Sequence, residues 1–182
     1  MADTRSALLV IDMINRFDFD GGRALARAAG PASKRIAWLR GRFRAADWPV
    51  ILVNDNFMDW KANFREICAV CSQDGMAGAD IARRLAPAPG DYFVLKPKHS
   101  AFHASPLDAL LESLDVNRLV ITGVAADAYV LATALDAHMR HYALAVPRDC
   151  VASITPARRD RALAVLRDNC HADTRGSRSI AP

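Results

Sequence analysis

The segment VITGVAADAYVLATALDA, residues 120–137, passes from a short apolar stretch through a glycine turn into a stretch with the spacing of a helix. A strand that leads directly into a helix is the repeating unit of α/β folds, in which helices cover a mostly parallel sheet. Tyr129 falls near the first turn of the expected helix, at a place where α/β enzymes often carry a nucleophile. The segment therefore predicts the fold class and makes Tyr129 the first residue whose role needs an explanation.

Short, mainly apolar runs recur along the chain and are expected to be strands that are covered on both faces. These runs are ALLVID (7–12), PVILVN (49–54), YFVLK (92–96), RLVITG (118–123) and YALAVP (142–147). Their alternation with amphipathic stretches predicts a three-layer α/β/α fold with a Rossmann-like, open parallel sheet of about six strands. With 182 residues, 52% of them hydrophobic, the chain is expected to form a single domain over residues 1–182.

Helices are expected between these strands, because apolar residues recur there every three or four positions. One helix follows SPLD, where Ser105 suits the N-cap and Pro106 the first helical position. Thr155 and Pro156 open another helix in the same way. The side chains expected to face the core are Ile36, Leu39, Phe43, Leu107, Leu110, Leu111, Leu114, Ala162, Val165 and Leu166. Residues 71–80 have the composition of a long loop, which can form one wall of a site.

Charge and composition exclude several classes of function. Lys and Arg outnumber Asp and Glu by 24 to 20, and because the excess is spread along the chain, no nucleic-acid partner is expected. No apolar run is long enough to cross a bilayer and no signal peptide is visible, so we expect a cytoplasmic protein without a membrane partner. The four cysteines are expected to be free thiols, and Cys150 to be a buried packing residue.

Polar residues stand where several expected strands end. Asp12 ends the first strand, Asn54 and Asp55 end the second, and Lys96 ends the third. In an open parallel sheet, ligands bind outside the carboxyl ends of the strands. A carboxylate and an ammonium brought together at this edge can transfer protons, since each shifts the pKa of the other. Each residue alone has an ordinary structural explanation, a cap or a solvated side chain, but their joint placement makes Asp12 and Lys96 the candidate catalytic pair.

Three segments resemble the isochorismatase-like cysteine hydrolases. ALLVIDMINRF (7–17) is similar to the opening of that family, KPKHSAF (96–102) to its lysine segment, and GVAADAYVLATALDA (123–137) to its nucleophile turn. The similarity continues to the tail NCHADTRGS (169–177) and so covers nearly the whole chain. The order of the three motifs on a matching α/β pattern implies the fold of that family.

The resemblance implies a role for each matching residue. Asp12 corresponds to the acid/base carboxylate of the family and Lys96 to the lysine that supports it. The turn would carry the unusual cis peptide of the family between Val124 and Ala125, and the backbone N–H groups of Ala125 and Tyr129 would be the oxyanion donors. Asp127 lies in the same turn. It is expected to cap the following helix, because an Asp carboxylate can accept a hydrogen bond from a free N–H group of the first helical turn.

Tyr129 departs from the family pattern. The hydrolytic branch has a cysteine at this position and the true isochorismatases have a glycine. A phenol with a pKa of about 10 is a poor nucleophile and cannot form a thioester, so hydrolysis through a thiol is not expected. Three roles remain open for Tyr129: it fills the substrate space, it donates a hydrogen bond to a substrate oxygen, or it acts as a general acid beside Lys96. The resemblance to the isochorismatase branch implies that a hydrolysis reaction that uses the carboxylate and the lysine does not require a thiol.

The sequence predicts neither a metal nor a cofactor. Nicotinamidase relatives carry an Asp-x-His metal motif after the second strand, whereas NDNF offers Asp55 followed by a phenylalanine, and the histidines show no spacing that replaces it. A small-molecule pocket is expected instead. Its predicted lining is Phe17, Asn54, Phe57, Trp60 and Phe102.

Two function classes remain. In the first, the chain is a small-molecule hydrolase that uses Asp12 and Lys96 without a cysteine nucleophile. In the second, it is a catalytically inactive family member, a pseudoenzyme that binds a ligand or takes part in an assembly. Relatives imply a homodimer or homotetramer. The sequence does not name the substrate.

Overall fold

Six parallel strands form one sheet in the computed structural model, which describes residues 4–57, 61 and 63–181. The strands are β1 (Ser6–Ile11), β2 (Val50–Asp55), β3 (Tyr92–Lys96), β4 (Arg118–Val124), β5 (Ala143–Ala145) and β6 (Val151–Ala152). The sheet order is β3-β2-β1-β4-β5, and β6 pairs with the end of β4 at Gly123 and Val124. Because β1 lies at the centre, Asp12 emerges in the middle of the carboxyl edge.

Helices connect the strands. They are α1 (Gly22–Ala45), α2 (Phe64–Cys71), α3 (Ala79–Arg84), α4 (Leu107–Ser113), α5 (Leu131–Met139) and α6 (Pro156–Cys170). A π-helical turn, Ala126–Val130, precedes α5 without a break, and a short 3-10 turn, Ser177–Ser179, lies near the carboxyl terminus. Tyr129 therefore lies in a widened turn rather than in a regular α-helix.

Alternation along β1 divides the core into two layers. Leu8 and Val10 pack on one face of the sheet with residues of α1, α2 and α3. Ala7, Leu9 and Ile11 pack on the other face with residues of α4, α5 and α6. Since side chains of a strand point alternately to opposite faces, a fully apolar strand needs helices on both sides. The predicted three-layer α/β/α fold is confirmed.

Local differences from the sequence-based predictions are small. The run YALAVP forms only the three-residue strand β5, and the two-residue β6 had no apolar run long enough to reveal it. The Thr155 hydroxyl caps α6 as expected, with Pro156 in the first turn. Val165 was expected to face the core, but it is 38% exposed. The reason is that α6 buries the narrower stripe formed by Ala162, Leu163, Leu166 and Cys170.

Two glycines allow the close approaches that position the carboxyl edge. Gly123 has a φ of 117°, and a Cβ atom there would lie 2.0 Å from the carbonyl oxygen of Ile11. A Cβ atom on Gly78 would lie 1.9 Å from the carbonyl oxygen of Asn15. Any larger residue must therefore displace backbone at both points. Gly123 in particular lets β4 pass directly beside the end of β1, next to Asp12.

The described helices are too short or too polar to cross a bilayer. None of them, over residues 4–57, 61 and 63–181, combines the length and the apolar character that a membrane-spanning helix requires.

Candidate active site

Asp12 follows the central strand and turns back into the protein. Its φ of 51° is left-handed, and its N–H donates to the carbonyl oxygen of Val53 at 2.8 Å. Its carboxylate is almost completely buried, with 2% of the residue exposed. Oδ1 accepts a hydrogen bond from the Asp55 N–H at 2.7 Å, and Oδ2 lies 2.8 Å from the Nζ atom of Lys96. The turn of the chain thus aims the carboxylate at the end of β3.

Lys96 is the last residue of β3, and it is fully buried. Besides its ion pair with Asp12, its Nζ atom donates a hydrogen bond to the carbonyl oxygen of Lys98 at 3.2 Å. The same atom lies 3.7 Å from Oδ2 of Asp55. A buried ammonium is tolerated only when charged and polar partners replace water. Two carboxylates and one carbonyl oxygen supply those partners here.

Burial changes the acidity of Asp12. It raises the pKa of this carboxyl group from 3.8 to about 6, although the nearby Lys96 charge and the hydrogen bonds from Lys96 and from the Asp55 N–H act in the opposite direction. A carboxylate with a pKa of about 6 is mostly ionised at pH 7, yet it accepts a proton readily. These are the properties of a general base that later acts as a general acid.

Tyr129 brings its aromatic ring to the same pair. The Nζ atom of Lys96 lies 4.4 Å from the centroid of the ring, within cation–π range. The imidazole ring of His99 is tilted against the phenol at 5.0 Å between centroids. Burial, together with the negative charges of Asp12 and Asp55, raises the pKa of the phenol above 10. Tyr129 therefore stays protonated at neutral pH, which makes it a hydrogen-bond donor and a poor nucleophile.

The turn that carries Tyr129 contains a cis peptide bond between Val124 and Ala125. The carbonyl oxygen of Ala125 accepts hydrogen bonds from the N–H groups of Ala128 and Val130, which closes the π-helical turn. The role of the Ala125 and Tyr129 N–H groups as oxyanion donors stays a prediction.

Asp127 does not cap the helix as expected. Neither the π-helical turn nor α5 has a side-chain cap at its start. The N–H of Asp127 donates to the hydroxyl of Ser153 at 3.3 Å, and its carboxylate lies 3.6 Å from the Nε atom of Arg158. The expected cap is absent because Asp127 lies inside the turn, beyond the position that an N-cap residue occupies.

The residues predicted to line a pocket lie in different parts of the fold. Phe17 is buried with the α1 layer, whereas Phe102 is buried with the α4 layer on the opposite face. Asn54 is buried too, and its amide group accepts a hydrogen bond from the Ile14 N–H and donates one to the Ile14 carbonyl oxygen. Trp60 lies outside the described residues. The contact of these residues with a ligand stays a prediction. Asn54 also has a structural role, since it binds both backbone polar groups of Ile14.

Phe57 is the predicted pocket residue that lies on an open surface. It is 41% exposed, and it lines a cavity of about 360 Å³. The cavity is mainly apolar and lies between the loops after β1 and β2 and helix α2. Its lining residues are Arg16, Asn56, Phe57, Glu66, Ile67, Val70 and Cys71. Asp12, Lys96 and Tyr129 do not line this cavity, but the peptide N–H of Asn56, which does, donates to the Lys96 carbonyl oxygen at 3.1 Å.

Sequence reasoning placed Asp55 at the carboxyl edge but gave it no role. In the structure, it contacts both Asp12 and Lys96. The signal was present, because Asp55 and Asp12 end neighbouring strands. The contacts of Lys98 and His99 had no such signal, since they depend on how the chain turns after β3.

Within residues 4–57, 61 and 63–181, no three His, Cys, Asp or Glu side chains lie close enough together to hold a metal ion. The four cysteines are free. Cys150 is buried as expected, and burial strongly raises the pKa of its thiol. It therefore does not supply a thiolate nucleophile.

Comparison with known proteins gives consistent matches. The Isochorismatase domain profile matches residues 6–176. An uncharacterized isochorismatase family protein of Bacillus subtilis (strain 168), YaaI, is 39% identical over 166 residues, which are 91% of this chain and 91% of that protein. The crystal structure of an isochorismatase family protein from Desulfovibrio vulgaris superposes with a TM-score of 0.79 at 26% identity, covering 97% of this chain and 96% of that one. N-carbamoylsarcosine amidase from Thermoplasma acidophilum gives a TM-score of 0.75 at 28% identity, covering 98% and 100%.

Proposed function

Because the chain belongs to the isochorismatase family, we propose that it is a hydrolase of small molecules that uses Asp12 and Lys96 without a covalent thiol intermediate. The observation that carries the proposal is the buried ion pair of 2.8 Å between these two residues, beside the ring of Tyr129. Burial also raises the pKa of the Asp12 carboxyl group to about 6, which suits a group that exchanges protons near neutral pH.

We infer that the substrate is an amide, since a relative that aligns over almost the entire chain is an amidase. The Asp12 carboxylate removes a proton from a water molecule as the water oxygen bonds to the carbonyl carbon. Asp12 then gives that proton to the leaving nitrogen as the C–N bond breaks. Lys96 keeps the carboxylate in place and balances its charge through the cycle.

The remaining groups of the turn stabilise the transition state in this proposal. The N–H groups of Ala125 and Tyr129 donate to the developing oxyanion, which is the usual way to lower the barrier of acyl transfer. The protonated phenol of Tyr129 donates a further hydrogen bond to a substrate oxygen. The apolar cavity at Phe57 receives the part of the substrate that does not react.

The test compares turnover by the wild type and by Asp12→Asn over a panel of small amides, carbamoylated amines and enol ethers. We expect the rate of hydrolysis to fall by roughly 10²–10⁴-fold, because general acid–base catalysis contributes about that much. Asp127→Asn is the control for the loss of a carboxylate near the turn, since Asp127 pairs with Arg158 and not with Lys96. An Asp12→Asn enzyme as fast as the wild type on every substrate that is hydrolysed would contradict the proposal.

A second candidate is a binding protein that has lost catalysis. It is favoured by one observation: the ring of Tyr129 covers Lys96 while Asp12 is almost inaccessible. This candidate predicts tight binding of a ligand without turnover. Turnover that disappears in Asp12→Asn would exclude it.

A further inference from the structure

Asp55 is a third charged residue beside Asp12 and Lys96. The family resemblance assigns it no role, because the metal motif of the nicotinamidases is missing here. We propose that Asp55 is a positioning residue that shares the Lys96 ammonium with Asp12 and thereby keeps Asp12 able to exchange a proton near neutral pH. The catalytic meaning of this inference rests on the proposed function, whereas its electrostatic part does not.

Two contacts tie Asp55 to the pair, and a third holds its carboxylate in place. Its peptide N–H donates to Oδ1 of Asp12 at 2.7 Å, its Oδ2 atom lies 3.7 Å from Nζ of Lys96, and its Oδ1 atom accepts from the N–H of Phe57 at 2.6 Å. The last contact fixes the carboxylate, so that the oxygen facing Lys96 cannot turn away freely. Asp55 thus holds Asp12 with its backbone and competes for the ammonium with its side chain.

The accessibility of the three side chains differs. Side-chain exposure is 3% for Asp12 and 0% for Lys96, but 27% for Asp55. Water therefore solvates the negative charge of Asp55 while the other two groups depend on each other. In such an arrangement, Asp55 places a partly solvated carboxylate beside a buried carboxyl group.

Burial is the main reason for the raised pKa of Asp12, and the charges of Lys96 and Asp55 modify it in opposite directions. A buried carboxylate paired with one lysine would be held in its ionised form. A second carboxylate weakens that effect, because it repels the negative charge of Asp12 and takes part of the ammonium. Accordingly, the charge of Asp55 raises the pKa of Asp12 and also that of the Tyr129 phenol.

Other titratable groups around the pair come from neighbouring elements. The loop after β3 contributes His99, which packs on the ring of Tyr129, and Lys98, which contacts Lys96 through its carbonyl oxygen. The π-helical turn contributes Tyr129 and Asp127, of which the latter pairs with Arg158. Of these groups, Tyr129 lies against Lys96 as a neutral phenol. The charge balance at Asp12 therefore depends mainly on Lys96 and Asp55.

The experiment is a titration of the Asp12 carboxyl carbon by ¹³C NMR in the wild type, in Asp55→Asn and in Asp127→Asn, with the signal assigned from Asp12→Asn. Asparagine at position 55 retains the backbone N–H to Asp12 and an oxygen for the Phe57 N–H, and removes only the charge. We expect the midpoint to fall from about 6 by on the order of one pH unit in Asp55→Asn. Asp127→Asn should leave it unchanged. Asp55→Ser gives the same test if the asparagine variant does not fold.

A midpoint that is unchanged or higher in Asp55→Asn would overturn the inference. A second readout is the pH profile of kcat/KM, whose acid limb should move to lower pH in Asp55→Asn and return toward the wild-type position in Asp55→Glu. The two proposals fail separately. A shifted midpoint in a protein that hydrolyses nothing supports the role of Asp55 and contradicts the proposed function. If turnover requires Asp12 but the midpoint is not shifted in Asp55→Asn, the proposed function is supported and the role of Asp55 is contradicted.

Discussion

At the carboxyl edge of the sheet, the Nζ atom of Lys96 lies 2.8 Å from the Asp12 carboxylate and 4.4 Å from the centroid of the Tyr129 ring. The order of strands and motifs predicted that Asp12 and Lys96 lie at one edge, because the carboxyl ends of parallel strands share that edge even though β2 separates β1 from β3. It could not predict the direction of the Tyr129 side chain, which depends on the π-helical form of its turn. Of the three roles left open, the observed position over Lys96 is compatible with space filling and with hydrogen-bond donation.

Restoring a thiol at position 129 tests whether the surrounding machinery is intact. In Tyr129→Cys, the sulfur would lie near the Asp12–Lys96 pair, which can remove its proton and hold the thiolate. We expect esterase activity on an activated ester such as p-nitrophenyl acetate, and its loss after alkylation with iodoacetamide. Tyr129→Ser is the control, because it opens the same space without a thiol. Equal activity in the cysteine and serine variants would contradict this prediction.

Asn54 is expected to matter for stability. Its buried amide donates to the Ile14 carbonyl oxygen at 2.7 Å and accepts from the Ile14 N–H at 3.3 Å. Asn54→Ala leaves both backbone groups without this partner, which should lower the free energy of unfolding by about 2–3 kcal/mol. Urea denaturation measures this change. The control is Asn15→Ala, which removes one hydrogen bond to the Phe17 N–H and should lower the free energy of unfolding by less than about 1 kcal/mol. An equal loss in both variants would contradict the expected role of Asn54.

At the scale of elements, the carboxyl edge is assembled by close packing of strand ends. The apolar runs were long enough to predict β1 to β4, and their continuity correctly indicated helices on both faces. The two residues of β6 carry too little pattern to be recognised. Their pairing with Gly123 and Val124 is a tertiary contact, and so was outside the reach of local sequence patterns.

Gly123 provides the test at this scale. A Cβ atom at this position would meet the Ile11 carbonyl oxygen, and the φ of 117° is unfavourable for any other residue. Gly123→Ala should therefore destabilise the protein by about 3 kcal/mol or more. Gly30→Ala is the control within α1, where nothing lies within 4 Å of the added atom, and it should stabilise by about 0.5–1 kcal/mol. Thermal unfolding distinguishes the two, and a stable Gly123→Ala variant would contradict the packing described here.

At the scale of the whole molecule, a buried charge cluster ties helix α1 to the segment before β3. Asp91 accepts hydrogen bonds from Arg40 at 2.8 Å and from Arg44 at 2.6 Å, and Arg40 also donates to the Ala86 carbonyl oxygen. Burial opposes ionisation of Asp91, but the hydrogen bonds from Arg44 and Ala88 and the two arginine charges outweigh it. As a result, the pKa of Asp91 lies below its ordinary value. The apolar pattern of the sequence contains no signal for this cluster.

The lowered pKa of Asp91 predicts how stability depends on pH. A carboxyl group with a lower pKa in the folded state stabilises that state above its unfolded pKa, and loses this effect as the pH falls through the folded value. Asp91→Asn should therefore cost about 2–3 kcal/mol at pH 7, because a buried arginine loses its counter-charge. The difference from the wild type should shrink below pH 4 in urea denaturation. A cost that is the same at pH 7 and pH 3 would contradict this assignment.

The account as a whole depends on Asp12 working as the acid/base group of a hydrolase. The most direct measurement is the pH dependence of kcat/KM for the substrate that the panel identifies. Because the general base must be ionised, we predict that kcat/KM is constant above neutral pH and falls tenfold per pH unit below a midpoint near 6. A profile that stays flat from pH 5 to pH 8, or an acid limb that Asp12→Asn leaves unchanged, would contradict it.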